Sequence, residues 1–534
     1  MNARIRGLTL PEWGWVALSL CLYSLCAFPW LSLPGPYQDE LLSLFVVEPF
    51  AFGSALYSWE WGGAKIPIMV MSYWGGLKAI LLEWYFAVVP ATTEAFRCFG
   101  LILGLATIVL TAVFLRRHYS SRVAMAAVLL LATDASCMHT IRIDWGPVAL
   151  MHLLKMAGLL LLSVWVSTAR IGWLAAGMFV FGVALWDKAN FVWFLFALVA
   201  AVLIVFPKDV FERVDRRMVL VAGMALVLGA LPLVVFNIDQ QGLTASDTSK
   251  FEFNPMKLVA AKGSLDGSAV LWLTTRSALD GVPTEERGGA ARLVRTLGVA
   301  RSNLTWPLIV GGLLALPWTL GGSQRRGILF ALVLSVVNYA VMFPLAAGGG
   351  SAHHVAMLYP FAIVFAVVSL AGLAERWDVR RVFVVVTTAA VLVNLSLNAR
   401  YLAAFAYTGG VGAFSDAVYR LADRAAFEPD YEYHLLDWGM STPLALLSHG
   451  RGLRFEEEGR IFYGLDPEDV QRERIEEMLL DPKSRFVVRG EERTIVPRGR
   501  EVVNGLVGQG RLRMIAEVHE RTGIVGFEVY GGAQ

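Results

Sequence analysis

Asp39 and Glu40 stand side by side in LSLPGPYQDELLSLF, directly after a long apolar run and a Pro34-Gly35-Pro36 break. A carboxylate at such a boundary can take a proton from an attacking group. Lys65 follows in WGGAKIP, Arg142 and Asp144 in HTIRIDWGP, and His353 and His354 in SAHHVAMLYPF. Lysine, arginine and histidine supply the positive charge or hydrogen bonds that stabilise a developing anion. Together these residues offer a base and an anion site. Each alone has a plainer account: a solvated acidic loop, an interfacial lysine that snorkels, a polar helix cap.

The chain around them is apolar. Of 534 residues, 56% are hydrophobic and 17% charged, with a mean hydropathy of +0.56. A soluble domain carries about a quarter charged residues. The apolar residues come in blocks separated by short basic clusters, the pattern of a polytopic membrane protein. The net charge of +2 is segregated rather than gathered in a stripe with aromatics, so nucleic acid is not expected as a partner. Cys21, Cys26, Cys98 and Cys137 lie in apolar runs without metal-site spacing.

A helix crosses the hydrocarbon layer with about 20 residues. Eleven candidate spans meet that need: 13–33, 95–115, 122–140, 147–168, 171–186, 190–206, 218–236, 306–320, 327–346, 355–374 and 381–397. Arg4 and Arg6 precede the first, which is too long for a cleaved signal and reads as a retained span. Basic clusters at Arg116-Arg117 with Arg122, Arg170, Lys208 to Arg217, Arg325-Arg326 and Arg376 to Arg381 recur at every second connection. Lysine and arginine stay on the cytoplasmic side. The opposite, outer face then holds Asp39-Glu40, Asp144, Asp187-Lys188, the long loop 237–305, 348–354 and everything after about 398. Segment 66–90 is long enough to span, but an extra crossing would invert every later cluster. Gly75-Gly76 and Lys78 also weigh against a span, so it is expected as outer juxtamembrane helices or a re-entrant pair within 38–90.

From about 410 the chain turns polar, with a helical stretch at 467–480 and β-like runs at 485–488 and 512–531. The expected architecture is an α-helical polytopic membrane domain, 1–400, with about eleven transmembrane helices, followed by a small α/β domain, 401–534, on the extracytoplasmic side. Asp-Trp-Gly occurs at 144–146 and again at 437–439, the second expected to be a strand-end turn. Asn303-Leu304-Thr305 matches a glycosylation sequon. Asp187-Lys188 reads as an ion pair at a helix end. Loop 237–305 is open between a lid and a partly mobile segment.

An acidic pair after the first span, a Lys-x-Pro element, an acid in the second outer loop and a long fourth outer loop resemble the GT-C membrane glycosyltransferases. The pattern is most similar to the protein O-mannosyltransferases and lipid A aminoarabinose transferases (glycosyltransferase family 39-like), over roughly 10–400. The resemblance implies transfer of a sugar from a polyprenyl-phosphate donor to a lipid, glycan or protein acceptor at the outer face. It implies Asp39 as the acid that activates the acceptor, Glu40 as its partner and Asp144 as the second-loop acid. Lys65 resembles the lysine that contacts the donor phosphate, in Lys65-Ile66-Pro67 with one proline of the family element missing. Arg142, His353 and His354 are further candidates for the phosphate. Direct displacement would invert the anomeric centre.

The aminoarabinose transferases place a metal-binding Glu before that lysine, where this chain has Ala64. A divalent metal is compatible with the resemblance but not assigned by it. A transporter or lipid flippase is the alternative class and would call for broken helices and mid-membrane polar groups. A non-catalytic sensor with an extracytoplasmic domain is a third. The expected location is a bacterial inner membrane.

Overall fold

The computed structural model describes residues 8–44, 46, 55–276, 288–346 and 348–533. Arg4, Arg6 and parts of 38–90 and 237–305 lie outside these residues. Five helices are long and apolar enough to cross a membrane: Leu10–Ala27, Thr93–His118, Val148–Thr168, Arg325–Met342 and Arg380–Thr408. The number rises to nine if each of four bent helix pairs is one span, and Ile171–Asp187 and Thr305–Thr319 are shorter apolar helices. All eleven apolar segments lie on these elements.

Two features differ from the expectation of clean spans. The first helix stops at Ala27 rather than continuing to 33, and four helix pairs are sharply bent at short breaks. The bends are 52° between Thr133 and Ala135, 95° between Val205 and Pro207, 69° between Gly229 and Leu231, and 45° between Leu358 and Phe361. Hydropathy averages over such breaks because the residues around them remain apolar.

Broken ends need donors for their carbonyls, since a bare carbonyl in an apolar setting costs several kcal/mol. The fully buried Arg142 supplies them at the first helix. Its Nη1 donates to Ala27 O at 2.6 Å, and Nη2 donates to Pro29 O, Trp30 O and Leu33 O at 2.8, 2.7 and 2.8 Å. Arg97, also fully buried, donates through Nη1 to Leu31 O at 2.8 Å and Pro34 O at 2.7 Å. Its other edge forks onto Glu40, Nε to Oε1 at 2.6 Å and Nη2 to Oε2 at 2.9 Å. Lys155 caps the last break through Met357 O and Tyr359 O. Asp134 caps the helix Ala135–Arg142 by accepting from Cys137 N at 2.9 Å, and it also accepts from Asn303 Nδ2 at 2.8 Å and Thr305 Oγ1 at 2.7 Å. Asn303 is 1% exposed, so the sequon is a buried hydrogen-bonding element and not a surface acceptor.

Segment 66–90 is not a pair of helices. Strands β1 (Tyr57–Trp61), β2 (Ala64–Met71) and β3 (Trp74–Gly75) form an antiparallel sheet in that order, and one helix, Leu77–Phe86, follows. Gly62 and Gly63, both at positive φ, make the two-residue hairpin turn. Gly75 and Gly76 serve close approach: a Cβ would lie 2.2 Å from Trp186 O in one case and 1.9 Å from Pro67 O in the other. The sheet thereby docks on the end of the helix Ile171–Asp187, with Trp186 Nε1 donating to Ile68 O and Ala189 N to Tyr73 O.

The described part of 237–305 is helical and packed. Helix Ser268–Thr275 buries Val270 and Leu271 against a cluster that includes Leu397 and Tyr401. The C-terminal sheet runs β5 (Arg454–Glu457), β4 (Glu432–Leu435), β6 (Ser484–Arg489), β8 (Val525–Gly532), β7 (Leu512–His519). β4 is parallel to both neighbours, and the β6–β8 and β8–β7 pairs are antiparallel. Alternation along β6 buries Val487 under helix Ala417–Phe427, and Phe486 and Val488 under helices Glu468–Leu480 and Pro497–Gly508. This makes a three-layer α/β domain. The polar, four-residue β4 and β5 escape sequence reading; β6 to β8 and the helix near 467–480 do not.

Removing the carbonyl donor tests this account of the first break. In Arg142→Met the carbonyls of Ala27, Pro29 and Leu33 lose this donor, while Trp30 O still accepts from Leu33 N; an unsatisfied buried acceptor costs about 1–3 kcal/mol. The variant is expected to unfold in detergent well below wild type by thermal melting; an unchanged melting temperature contradicts the capping role.

Candidate active site

The Tyr37–Leu41 turn carries the acidic pair. Tyr37 is extended and precedes a single helical turn, Gln38–Leu41, closed by Tyr37 N donating to Glu40 Oε2 at 3.2 Å. Glu40, fully buried and forked by Arg97, anchors this turn to the helix Thr93–His118. It is thus placed as a structural ion pair. Three hydrogen bonds hold the carboxylate, two of them from the Arg97 guanidinium.

Asp39 points the other way and is partly exposed. Its Oδ2 accepts from Tyr37 OH at 2.9 Å and from Trp145 Nε1 at 3.2 Å. Both donors favour the carboxylate, but burial outweighs them and pushes its pKa above the ordinary carboxylate value. The result is a carboxylate with neutral partners and raised basicity.

Trp145 is set by a sharp turn in which Asp144 (φ 45°) and Gly146 (φ 73°) are left-handed. Aspartate tolerates that region and glycine enters it without penalty. Asp144 Oδ1 caps the next helix by accepting from Ala149 N at 2.8 Å, and Oδ2 pairs with Lys78 Nζ at 2.8 Å. Lys78 begins the helix Leu77–Phe86, and its own N–H donates to Asp187 Oδ1 at 3.3 Å. Asp187 is therefore a helix N-terminal acceptor rather than the partner of Lys188.

Lys188 is 4% exposed. Among the described residues its ammonium has neither hydrogen bond nor ion pair. Burial pushes its pKa down to about 8, against the pull of Asp144 and Asp187. A Cβ on Gly146 would come within 3.1 Å of Lys188 Nζ, so glycine is what lets the Trp145 turn approach this cation. His353 rests on the Trp145 ring at 4.7 Å and on His354 at 4.1 Å, with Ser351 Oγ 2.9 Å from its Nδ1.

The structure thus gathers Asp39, Asp144, His353 and His354 around Trp145 and Lys188. Lys65 lies elsewhere in character: it is exposed at the hairpin end of β2, across from Glu60. Arg142 is committed to backbone carbonyls. Ala64 offers no ligand beside Lys65, so a metal held as in the aminoarabinose transferases would lack its carboxylate. Among the described residues, His434, Glu456 and Glu458 do lie within metal-ligand reach of one another. Arg474 pairs with both glutamates at 2.6 and 2.8 Å, which makes that group an internal ion network.

Sequence reading does not place Lys78, Arg97, Tyr37 or Trp145 in this cluster, and it pairs Lys188 with Asp187, whose Oδ1 instead accepts from Lys78 N. The signal for the two cations was present. A lone Lys or Arg in an apolar run costs about 2.5–3.5 kcal/mol at mid-membrane unless it is paired, so each demanded a partner.

No protein-family model matches the sequence, and no characterised protein matches it in sequence. Solved structures do. ArnT from Cupriavidus metallidurans bound to undecaprenyl phosphate superposes with a TM-score of 0.57, at 14% identity, over 98% of this chain and 98% of that one. Its apo state gives 0.52 at 13% over 97% and 98%. The Archaeoglobus fulgidus oligosaccharyltransferase in complex with Zn and sulfate gives 0.51 at 11% over 89% and 68%. Over nearly its whole length the chain has the fold of the GT-C membrane glycosyltransferases.

Proposed function

We propose that this protein is an integral-membrane glycosyltransferase that moves a sugar from a polyprenyl-phosphate donor to an acceptor at the outer face of the membrane. The observation that carries the reading is the pairing of unlike groups about one indole. Trp145 donates to the raised-pKa carboxylate of Asp39, while the glycine beside it admits the unpartnered Lys188. The fold shared with an ArnT that binds undecaprenyl phosphate supports the choice of donor.

In the proposed reaction Asp39 takes the acceptor's proton as the acceptor oxygen or nitrogen bonds to the anomeric carbon. The bond from that carbon to the phosphate oxygen breaks, and the polyprenyl phosphate leaves with the electron pair. Attack opposite the leaving group inverts the centre. Lys188, with His353 and His354 nearby, stabilises the departing phosphate, in preference to Lys65 and Arg142. Asp144 and Lys78 hold the Trp145 turn. Residues 401–534 lie on the same outer side as Asp39.

The four bent helix pairs are what a transporter would show. Two of these breaks are capped by the buried side chains of Lys155 and Asp134 rather than opening on a polar path, which favours transfer. Movement of labelled polyprenyl phosphate across vesicles without sugar transfer would reverse that preference.

Purified protein assayed with a polyprenyl-phosphate sugar tests the base. Asp39→Asn should lower turnover by about 10²–10⁴-fold with unchanged melting; a normal rate in the folded variant removes Asp39. Turnover should rise with pH as Asp39 deprotonates, on a limb above the ordinary carboxylate pKa of about 3.9. Tyr37→Phe deletes a bond that favours the charged form, so the limb should move to still higher pH.

For the phosphate, Lys188→Met should raise the donor KM by about 10- to 100-fold, the loss of one charge-assisted contact. Lys65→Met should leave it unchanged. The reverse result would restore Lys65. Single cysteines placed in 410–533 should react with an impermeant thiol reagent from the outer face only; labelling from the cytoplasmic side would invert the orientation.

A further inference from the structure

The two residues before Asp39 are held from the far end of the chain. Gln38 is 6% exposed, and its side chain is clamped by the start of helix Ser441–Ser448. Gln38 Oε1 accepts from Thr442 N at 3.1 Å, Nε2 donates to Ser441 Oγ at 3.1 Å, and Thr442 Oγ1 donates to Gln38 O at 3.0 Å. Tyr37, the phenol that holds Asp39, stacks on Phe414 at 4.3 Å and meets the edge of Trp438 at 5.8 Å.

Trp438 sits in the second Asp-Trp-Gly, on the loop that leaves the carboxyl end of β4. In α/β sheets the crevice beyond the carboxyl ends of parallel strands is where ligands are met. Here the loop leaving β4 and the helix after it meet the Tyr37–Asp39 turn. The loop is rigid for stated reasons. Asp437 accepts from Trp438 N, Val496 N and Ile495 N at 2.7, 2.9 and 3.2 Å. Arg489, 1% exposed, donates to Trp438 O and Gly439 O, both at 3.0 Å. A buried guanidinium fixes the loop, the loop fixes Trp438 and the helix start, and these fix Tyr37 and Gln38.

We propose that the C-terminal domain is a working part of the transfer centre: Gln38 and Thr442 form a positioning clamp that keeps Asp39 in its bond with Tyr37. The inference rests on Asp39 acting as the base. Loss of the clamp loosens the Tyr37–Asp39 bond, so it lowers the rate of the chemical step and raises the pKa of the base without touching the donor phosphate.

The test uses the full-length protein in the same transfer assay. Gln38→Met and Thr442→Val should each lower kcat by about 10- to 100-fold, leave the donor KM within about twofold, and shift the acid limb of the pH–rate profile upward, as expected for losing one or two hydrogen bonds at a positioned group. Thr442→Ser, which keeps the hydroxyl, should behave as wild type and controls for Thr442→Val, while an unchanged melting temperature controls for folding of Gln38→Met. A folded Gln38→Met and Thr442→Val with wild-type kcat and an unmoved limb, beside an inactive Asp39→Asn, overturns the clamp alone. A fully active Asp39→Asn overturns the base assignment and the clamp with it.

Discussion

Unpaired backbone carbonyls at the ends of interrupted helices are the constraint on which the rest of this molecule depends. An apolar surrounding provides no water to satisfy them. Here the donors are buried cations. Arg142 and Arg97 take the carbonyls released between Ala27 and Pro34, Lys155 takes those at Met357 and Tyr359, and Lys257 donates to Leu345 O at 2.7 Å. In the C-terminal domain Arg489 does the same for Trp438 and Gly439. Each is a charge whose burial is tolerable only because its hydrogen-bonding capacity is used.

Seen in that light, the acidic turn is a consequence of the first break. Once Arg142 ends the helix at Ala27, the chain runs irregularly to Tyr37, and Arg97 fixes it from the other side while neutralising Glu40. Asp39 then has a defined direction, toward Tyr37 OH and Trp145 Nε1. The neighbouring connections obey the same economy: Asp144 neutralises Lys78, and Asp187 accepts from a helix N-terminus. Lys188 is left over. Among the described residues its buried ammonium has no hydrogen bond or ion pair, and Gly146 lets the Trp145 turn come close to it, which is why the proposed reaction gives it the anion.

The helical plan and the small α/β domain were legible because both rest on block hydropathy and on polar–apolar alternation over many residues. The breaks were not, since Asp134 and Pro360 each alter one or two positions in windows that stay apolar. The β1–β3 sheet was misread as helical. Its aromatic, β-branched run suits strand and interfacial helix alike, and the Gly62-Gly63 turn was the distinguishing feature. Residue type and side of the membrane point to Asp39, Asp144 and the histidines, and the fold brings them together around Trp145. Lys65 and Arg142 were chosen on the same grounds, yet the folded chain exposes one and commits the other. Which of several equivalent charges is free to meet a ligand depends on contacts between residues far apart in the chain, such as Lys78 with Asp144, and local spacing does not encode those.

The same reasoning separates the three acids. A general base needs a lone pair that no cation already holds, and a pKa high enough to draw a proton. Glu40 shares both oxygens with Arg97, and Asp144 divides its own between a helix N-terminus and Lys78. Asp39 alone is held by neutral donors, a phenol and an indole, that orient it without an adjacent formal charge to depress its basicity. In the proposed reaction the cation belongs on the leaving-group side: an ammonium in contact with Asp39 would neutralise it, whereas here Asp39 meets the Trp145 indole and Lys188 lies near Gly146.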